Sequence, residues 1–486
     1  MFRFLILAII CFSVLCANAQ THLKNFYTRW GGSGIEIGNK IIELPNKTIA
    51  CAGTSYSFGN GQSDGYLIVL DSLGNQIWSQ CFGGSLAEQF KDFIYNPWDS
   101  SFVLAGFSSS NPQSDYNAYL VHVSSTGKIL WETQLGTSDW DVATGVILNS
   151  NQELLVCGYS SNAGLGKDDA MIWKLNYSNG QMTQSLSCGG SENDYFNGLL
   201  PLSATLALAY GQSMSYGNPK GEGYIVAIQT NGDTLFHKTF QENLACQFNT
   251  ACHLSNGMVL LGGSIDSLNN GLSDAWFVKT NTLTFLPFYK RSHGLKQCNE
   301  SCRSLLAHNR FYSEAYALYN TCENDLYSLD PKLIYLTWGG DFWGGFGTGT
   351  FGFDLSNEEI NSMCYTQNND VLFTGYTQGL GAENPDLLVI RRDSLLTKAE
   401  SIVAVKPLIL DKRYERSTCI IIKSDLHAST FLNPFFSDLS CLITISGHFI
   451  AAQSPLSWNE CFLNLPSGYY TAITRSGQKM KCLLLD

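Results

Sequence analysis

Three landmarks recur along this 486-residue chain at one shared period, and nothing else in the sequence limits the fold so strongly. The first is an aromatic or small residue before a glycine-rich turn: Trp30-Gly-Gly, Phe82-Gly-Gly, Leu135-Gly-Thr, Cys188-Gly-Gly, then Phe240. The second is a glycine closing an apolar run: Gly53, Gly106, Gly158, Gly211 and Gly263. The third is an acidic or amide residue opening a hairpin: Asp64, Asn117, Asp169, Glu222, Asp274, Asp325 and Asp386. The hairpin itself reads DGYLIVLDSLGNQIW at Asp64–Trp78, and related stretches follow each later landmark. One supersecondary unit is used seven times.

Each unit carries four short apolar runs between turn residues. In the second they are Gln89–Tyr95, Ser101–Ser108, Ala118–Ser124 and Lys128–Leu135. Valine, isoleucine, leucine and aromatics fill them without a helical period, so they are expected to be strands. Four strands in about 50 residues is the size of one propeller blade. One such sheet cannot bury both faces alone, whereas a closed ring of them can. Trp78, Trp131 and Phe236 are expected to pack between blades. Residues Asn25–Gly32, NFYTRWGG, match the end of a unit rather than its beginning. The N-terminal strand should therefore complete the last blade. The expected fold is all-β: a seven-bladed propeller of four-stranded blades over residues 20–400. An insertion rich in Gly, Phe and Trp, Asp341–Ser356, is assigned to the seventh unit.

The pattern GGSxxE followed by AGTSxSxGxGxSDGYLIVLDSLGNQIW resembles the β-propeller repeats of secreted Bacteroidetes proteins, loosely related to kelch-type blades. The resemblance covers about residues 25–398. It implies a fold and little about activity, because propellers host many functions.

Residues 1–19 read as a secretory signal peptide: Arg3, an apolar core at Phe4–Leu15, and the small-residue cleavage site Ala17-Asn18-Ala19. No later apolar run approaches the roughly 20 residues that span a bilayer. The formal net charge is −12, which argues against a nucleic-acid partner held through a general basic surface. Of 16 cysteines, two lie in the signal; the rest are expected to be buried thiols or structural disulfides. Cys298 and Cys302 form a CxxxC pair with no second pair to complete a zinc site.

The period breaks after Ser401. Residues 401–486 carry new short apolar runs and are expected to form a small β-sandwich. Their end, Leu465-Pro466-Ser467-Gly468, Tyr470, Gly477, Lys479 and Cys482–Leu485, resembles the C-terminal sorting domain of the type IX secretion system. That resemblance implies export to the outer cell surface or medium through the periplasm, with the type IX machinery as partner and Gly468, Tyr470, Gly477 and Lys479 as the sorting signal.

No GxSxG elbow, P-loop, dinucleotide fingerprint or recognisable Ser/His/Asp arrangement is present in the sequence. The hairpin Ser125–Trp131 is similar to those of pyrroloquinoline-quinone dehydrogenases, but those have eight blades and adjacent cysteines. Neither a cofactor nor a metal is expected. One further pattern carries a candidate site. An acidic residue follows each glycine-rich turn: Glu36, Glu88, Asp141 and Asp194, with the register then falling on Cys246 and Cys298. This position should begin the innermost strand, near one mouth of the central channel. The carboxylates either accept backbone N–H bonds from turns and neighbouring blades or form a partial acidic ring, flanked by Trp140 and Tyr195, for a cation or a polyhydroxyl ligand. The expected function is non-catalytic binding of a glycan or surface protein. The alternative is a carbohydrate-active hydrolase or lyase using the mouth carboxylates.

Overall fold

The computed structural model describes residues 25–392 and five strands between 418 and 485. Within the first range it omits 112–114, 230, 241, 255–256, 269–271, 295–297, 309–313, 322–329, most of 338–357 and 379–383. The signal-peptide reading therefore lies outside the described residues. The chain divides into two compact units, Met1–Lys398 and Ala399–Asp486.

The first unit is seven four-stranded antiparallel sheets. Strand β1 (Phe26–Trp30) comes first in the chain. Blade one is β2–β5 (Glu36–Glu43, Ile49–Ser55, Asp64–Leu70, Gln76–Phe82) and blade two is β6–β9 (Glu88–Asn96, Ser101–Ser108, Asn117–Val123, Ile129–Leu135). Blade three is β10–β13 (Asp141–Leu148, Glu153–Ser161, Asp168–Asn176, Met182–Cys188) and blade four is β14–β17 (Asp194–Pro201, Leu206–Ser213, Glu222–Gln229, Thr234–Phe240). Blade five is β18–β21 (Cys246–Leu254, Met258–Ile265, Asp274–Asn281, Pro287–His293) and blade six is β22–β25 (Ser301–Ala307, Ala315–Thr321, Asp330–Leu336, Phe342–Trp343). Blade seven contributes β26–β28 (Glu358–Tyr365, Val371–Thr377, Asp386–Arg392) and is completed by β1. The pairing of β1 with β28 is antiparallel, from Phe26 opposite Arg391 to Trp30 opposite Leu387. The expected closure by the N-terminal strand is the observed one.

Within each blade the strands are sorted by burial. In blades one to five the second and third strands are almost wholly buried, as in Ile49–Ser55 and Asp64–Leu70, while the fourth is largely open to solvent, as in Gln76–Phe82. First strands touch the first strands of both neighbours around the whole ring, so they line the central channel. The core is a series of apolar clusters that each span a joint between blades; one contains Leu67 and Val69 of blade one with Phe90, Phe102 and Tyr119 of blade two. The indole of Trp78 packs edge-on against Phe102 of the next blade at 6.2 Å. Trp131 Nε1 donates to the Tyr177 carbonyl of blade three at 2.8 Å, and Phe236 meets Phe285 of blade five at 5.1 Å.

The second landmark has a geometric cause. Every first strand carries a β-bulge, between Phe90 and Asp92 in blade two, and Gly106 lies opposite it. A Cβ at Gly106 would run into the Gln89 carbonyl oxygen, which favours glycine there, although blade six carries Tyr319 opposite its own bulge. Gly53, Gly158, Gly211, Gly263 and Gly375 meet the corresponding carbonyl in their own blades.

Blade six departs from the expected register. Its third strand begins at Asp330, paired with Thr321 as Asp64 pairs with Ser55, and Asp325 lies outside the described residues. The start of the Gly/Phe/Trp-rich insertion also belongs to this blade, because Phe342–Trp343 is its fourth strand.

In the second unit the described strands are β29 (Thr418–Ile422), β30 (Leu439–Thr444), β31 (Phe449–Ile450), β32 (Gly468–Thr474) and β33 (Lys479–Leu485). They form one sheet in the order β29-β33-β32-β30-β31, with β29 and β33 parallel. Gly468 and Tyr470 lie on β32 and Lys479 opens β33, opposite Ile473; Gly477 is outside the described residues. No described helix is long and apolar enough to cross a membrane.

Candidate functional site at the channel mouth

The first and third strands of a blade run in the same direction, so Glu36 and Asp64 start their strands at the same mouth of the ring. The four sequence-selected carboxylates, Glu36, Glu88, Asp141 and Asp194, are all fully buried there. Each accepts a backbone N–H from the glycine-rich turn before it: Gly32 to Glu36 at 2.9 Å, Gly84 to Glu88 at 2.8 Å, Thr137 to Asp141 at 2.6 Å and Gly190 to Asp194 at 2.9 Å. A hydroxyl on the second strand or the loop after it adds a bond, from Ser55 to Glu36 at 2.8 Å, Ser108 to Glu88 at 2.7 Å and Ser215 to Asp194 at 2.7 Å. Their own backbone N–H groups bind the preceding blade: Glu36 to the Pro385 carbonyl, Glu88 to Ser63 and Asp141 to Tyr116, at 2.8–2.9 Å. The first landmark and the carboxylate are one device. Gly83 has φ +151°, and a Cβ there would strike the Glu88 carboxylate. Burial raises the pKa of Asp141 above its ordinary 3.8, the penalty being only partly offset by its hydrogen bonds.

Register assigns the remaining positions. Glu358 takes this place in blade seven and accepts from Thr377 Oγ1 at 2.9 Å. In blade six the residue is Glu300, which accepts from Thr321 Oγ1 at 2.7 Å; Cys298, where counting places it, lies two residues early and is disulfide-bonded. Cys246 does hold the position in blade five, and opposite it stands Ile265, where the others have Ser or Thr. Carboxylate and hydroxyl are thus replaced together by thiol and alkyl, which leaves no orphaned polar partner.

Trp140 is the sequence-selected side chain that reaches solvent most, at 49% exposure. It ends an aromatic run across blades two and three: Phe107 meets Tyr116 at 4.9 Å and Tyr116 meets Trp140 at 4.6 Å. Lys91 Nζ lies 5.8 Å from the centre of the Phe107 ring. Tyr195 is half-buried, edge-on to Tyr159 at 5.0 Å, and its hydroxyl donates to Asp168 Oδ2 at 2.7 Å. Burial and the adjacent Asp168 carboxylate together hold that phenol protonated.

Lys91 is also one of the seven bulged residues of the first strands: Asn39, Lys91, Thr144, Asn197, Asn249, Arg303 and Asn361. All are polar. Several tie one first strand to the next around the channel, as in Asn39 Nδ2 to the Phe90 carbonyl at 2.7 Å, Asn197 to Phe248 at 2.8 Å and Asn361 to Gly38 at 3.0 Å. Burial lowers the pKa of Lys91, and Arg303 pairs with Glu359 at 2.8 Å.

A second polar cluster lies at the other end of the blade-two and blade-three strands, and sequence reading missed it. His122 Nε2 is 2.8 Å from Ser101 Oγ, which donates to Asp99 Oδ1 at 2.6 Å, and Tyr177 donates to Asp99 Oδ2 at 2.7 Å. The residue types are those of a nucleophilic triad, but the wiring differs. The carboxylate binds the serine, His122 Nδ1 has no partner, and Ser101 is 1% exposed. No substrate reaches that hydroxyl. Among the described residues, no group of three or more His, Cys, Asp or Glu side chains is placed to hold a metal ion.

No protein-family model and no curated protein matches the chain. Solved structures do. An ulvan lyase of polysaccharide lyase family PL25 superposes with a TM-score of 0.50 at 10% identity, covering 76% of this chain and 96% of that one. The same enzyme bound to -[GlcA(1-4)Rha3S]- gives 0.51 over the same shares. Sqt1 of Chaetomium thermophilum, bound to the N-terminus of ribosomal protein L10, gives 0.42 at 10% identity over 76% and 100%. At these identities the likeness concerns the fold, and the fold of residues 25–392 is a seven-bladed β-propeller.

Proposed function

We propose that this chain is a secreted or cell-surface binding propeller whose carboxylate-bearing mouth presents aromatic rings to a glycan or a surface protein. The observation carrying this reading is the contrast at that mouth. Glu36, Glu88, Asp141 and Asp194 spend their hydrogen bonds on turns, while Trp140 stands half in solvent on the Tyr116 ring. Buried carboxylates fix the loops; the exposed indole and Tyr195 meet the ligand. An indole face packs against the C–H face of a sugar or an apolar side chain and excludes water from both.

In this reading residues 1–19 take the chain out of the cytoplasm. Residues 401–486 form a β-sandwich sorting domain that engages the type IX machinery, and the antiparallel pairing of β32 with β33 supports that reading. Removing Leu465–Asp486 should leave a folded propeller in the periplasm; normal surface levels of the truncated protein would refute the sorting assignment.

Binding is tested with the purified mature chain on immobilised neutral and acidic polysaccharides, ulvan included, with product analysis alongside. The expected result is retention without chain cleavage, weakened at least tenfold by Trp140→Ala. Cleavage lost in Glu88→Gln or Asp141→Asn would replace the binding reading with the hydrolase or lyase one.

A further inference from the structure

Three of the seven first strands place a phenylalanine at one joint position, and the other four carry Gly38, Ala143, Cys302 and Ile360 there. Between blades one and two, Phe90 of the first strand packs against Gly65 and stacks on Tyr119, with centroids 6.0 Å apart and planes 15° apart. Phe196 stacks likewise on Tyr224 at 5.7 Å and 6°, and Phe248 on Trp276 at 4.8 Å and 7°. At the joint where blade seven meets blade one, the register puts Gly38 where Phe90 stands and Leu387 where Gly65 stands. Tyr66, the counterpart of Tyr119, thus receives no phenyl ring from a first strand. Phe58 from the neighbouring loop covers it instead, at 6.1 Å and 26°.

A cleft of 670 Å³ lies at this joint. That is within the range of about 300–1,000 Å³ typical of small-molecule sites. Trp30, Phe58 and Tyr66 supply aromatic wall, and Asn60, Asp64 and Gln80 supply polar groups. The Asp64 carboxylate is buried and accepts from Gly61 N at 3.0 Å. Among the described residues no lysine, arginine or histidine lines the cleft, so these offer an anion no counter-charge.

We infer that this cleft is a binding site for a neutral sugar, at a blade joint separate from the Trp140 platform. Aromatic rings would take the C–H face of a pyranose and the amides of Asn60 and Gln80 its hydroxyls. The inference does not rest on the Trp140 platform, which belongs to blades two and three.

The test is calorimetric and fluorescence titration of the mature chain with cellobiose, maltose and lactose, with glucuronic acid as the charged comparator. Saturable binding of at least one disaccharide is expected. Phe58→Ala and the double variant Asn60→Ala/Gln80→Ala, all at exposed side chains, should weaken it at least tenfold with an unchanged Tm. Trp140→Ala should leave it unchanged. The assignment is overturned if none of the three disaccharides binds, if glucuronic acid binds more tightly, or if binding survives the Phe58 and Asn60/Gln80 variants. Binding lost only in Trp140→Ala would move the sugar to the Trp140 platform and also overturn the cleft site.

Discussion

Arg391 donates two hydrogen bonds to a single oxygen of Asp370, Nε at 2.9 Å and Nη2 at 2.8 Å, with the guanidinium fully buried. The same arginine also donates from Nη1 to the Ser72 carbonyl of blade one at 3.3 Å. Blade seven is thereby tied to blade one at the joint where the chain closes. Removing one partner of a buried charge pair strands the other, typically at about 3–5 kcal/mol. Arg391→Met and Asp370→Leu should each lower the Tm of the propeller substantially, and the double variant should recover part of the loss. A double variant as unstable as the sum of the singles would show that the pair is not coupled.

Deleting Asn25–Trp30 removes the fourth strand of blade seven and leaves β28 an open edge. The expected product is a protein that melts earlier and associates through that edge, seen by size-exclusion chromatography. A truncated chain that stays monomeric with the original Tm would refute closure by β1.

Gly83→Ala should destabilise blade two by the clash of its Cβ with Glu88 and by its φ of +151°. Gly164→Ala is the control. Its φ is +113°, but no atom lies within 4 Å of where the Cβ would sit, so it carries only the backbone strain. The larger loss of Tm is expected in Gly83→Ala.

His122 gives a pH dependence. Burial lowers its pKa below the ordinary 6.5, against the pull of Asp99. Between the folded and unfolded values the unfolded chain binds more protons, so this contribution to stability is lost as pH falls from about 6.5. The slope from one such group is at most about 1.4 kcal/mol per pH unit. Urea melts across this range should show it, and His122→Gln should flatten it. An unchanged slope in that variant would mean His122 is not the group that titrates.

The repeat was legible because its landmarks are parts of one construction: a turn glycine makes room for a carboxylate, and a second glycine makes room for a bulge. Most blades keep both, but blade five has Gln241 in place of the turn glycine and blade six has Tyr319 opposite its bulge. Blade six is also where insertions break the count, and counting alone leads to Cys298. The usable signal was the hydroxyl partner: Glu300 and Thr321 stand 21 residues apart, close to the 20 between Glu88 and Ser108. The Asp99–Ser101–His122–Tyr177 cluster follows no repeat and joins two blades, so no spacing announced it. Trp140 was picked out by position, but its stack on Tyr116 required coordinates.

Phe26 and Arg391, the residues where the chain enters and leaves the propeller, face each other at the same end of the β1–β28 pair. Tension applied between those two points would load the ladder one rung at a time, as a zipper opens, rather than shearing all its bonds at once. A propeller held by the segment that follows β28 and pulled through a ligand on its blades would keep that weak direction unloaded. Pulled from the N-terminus, the same ring would open at low force.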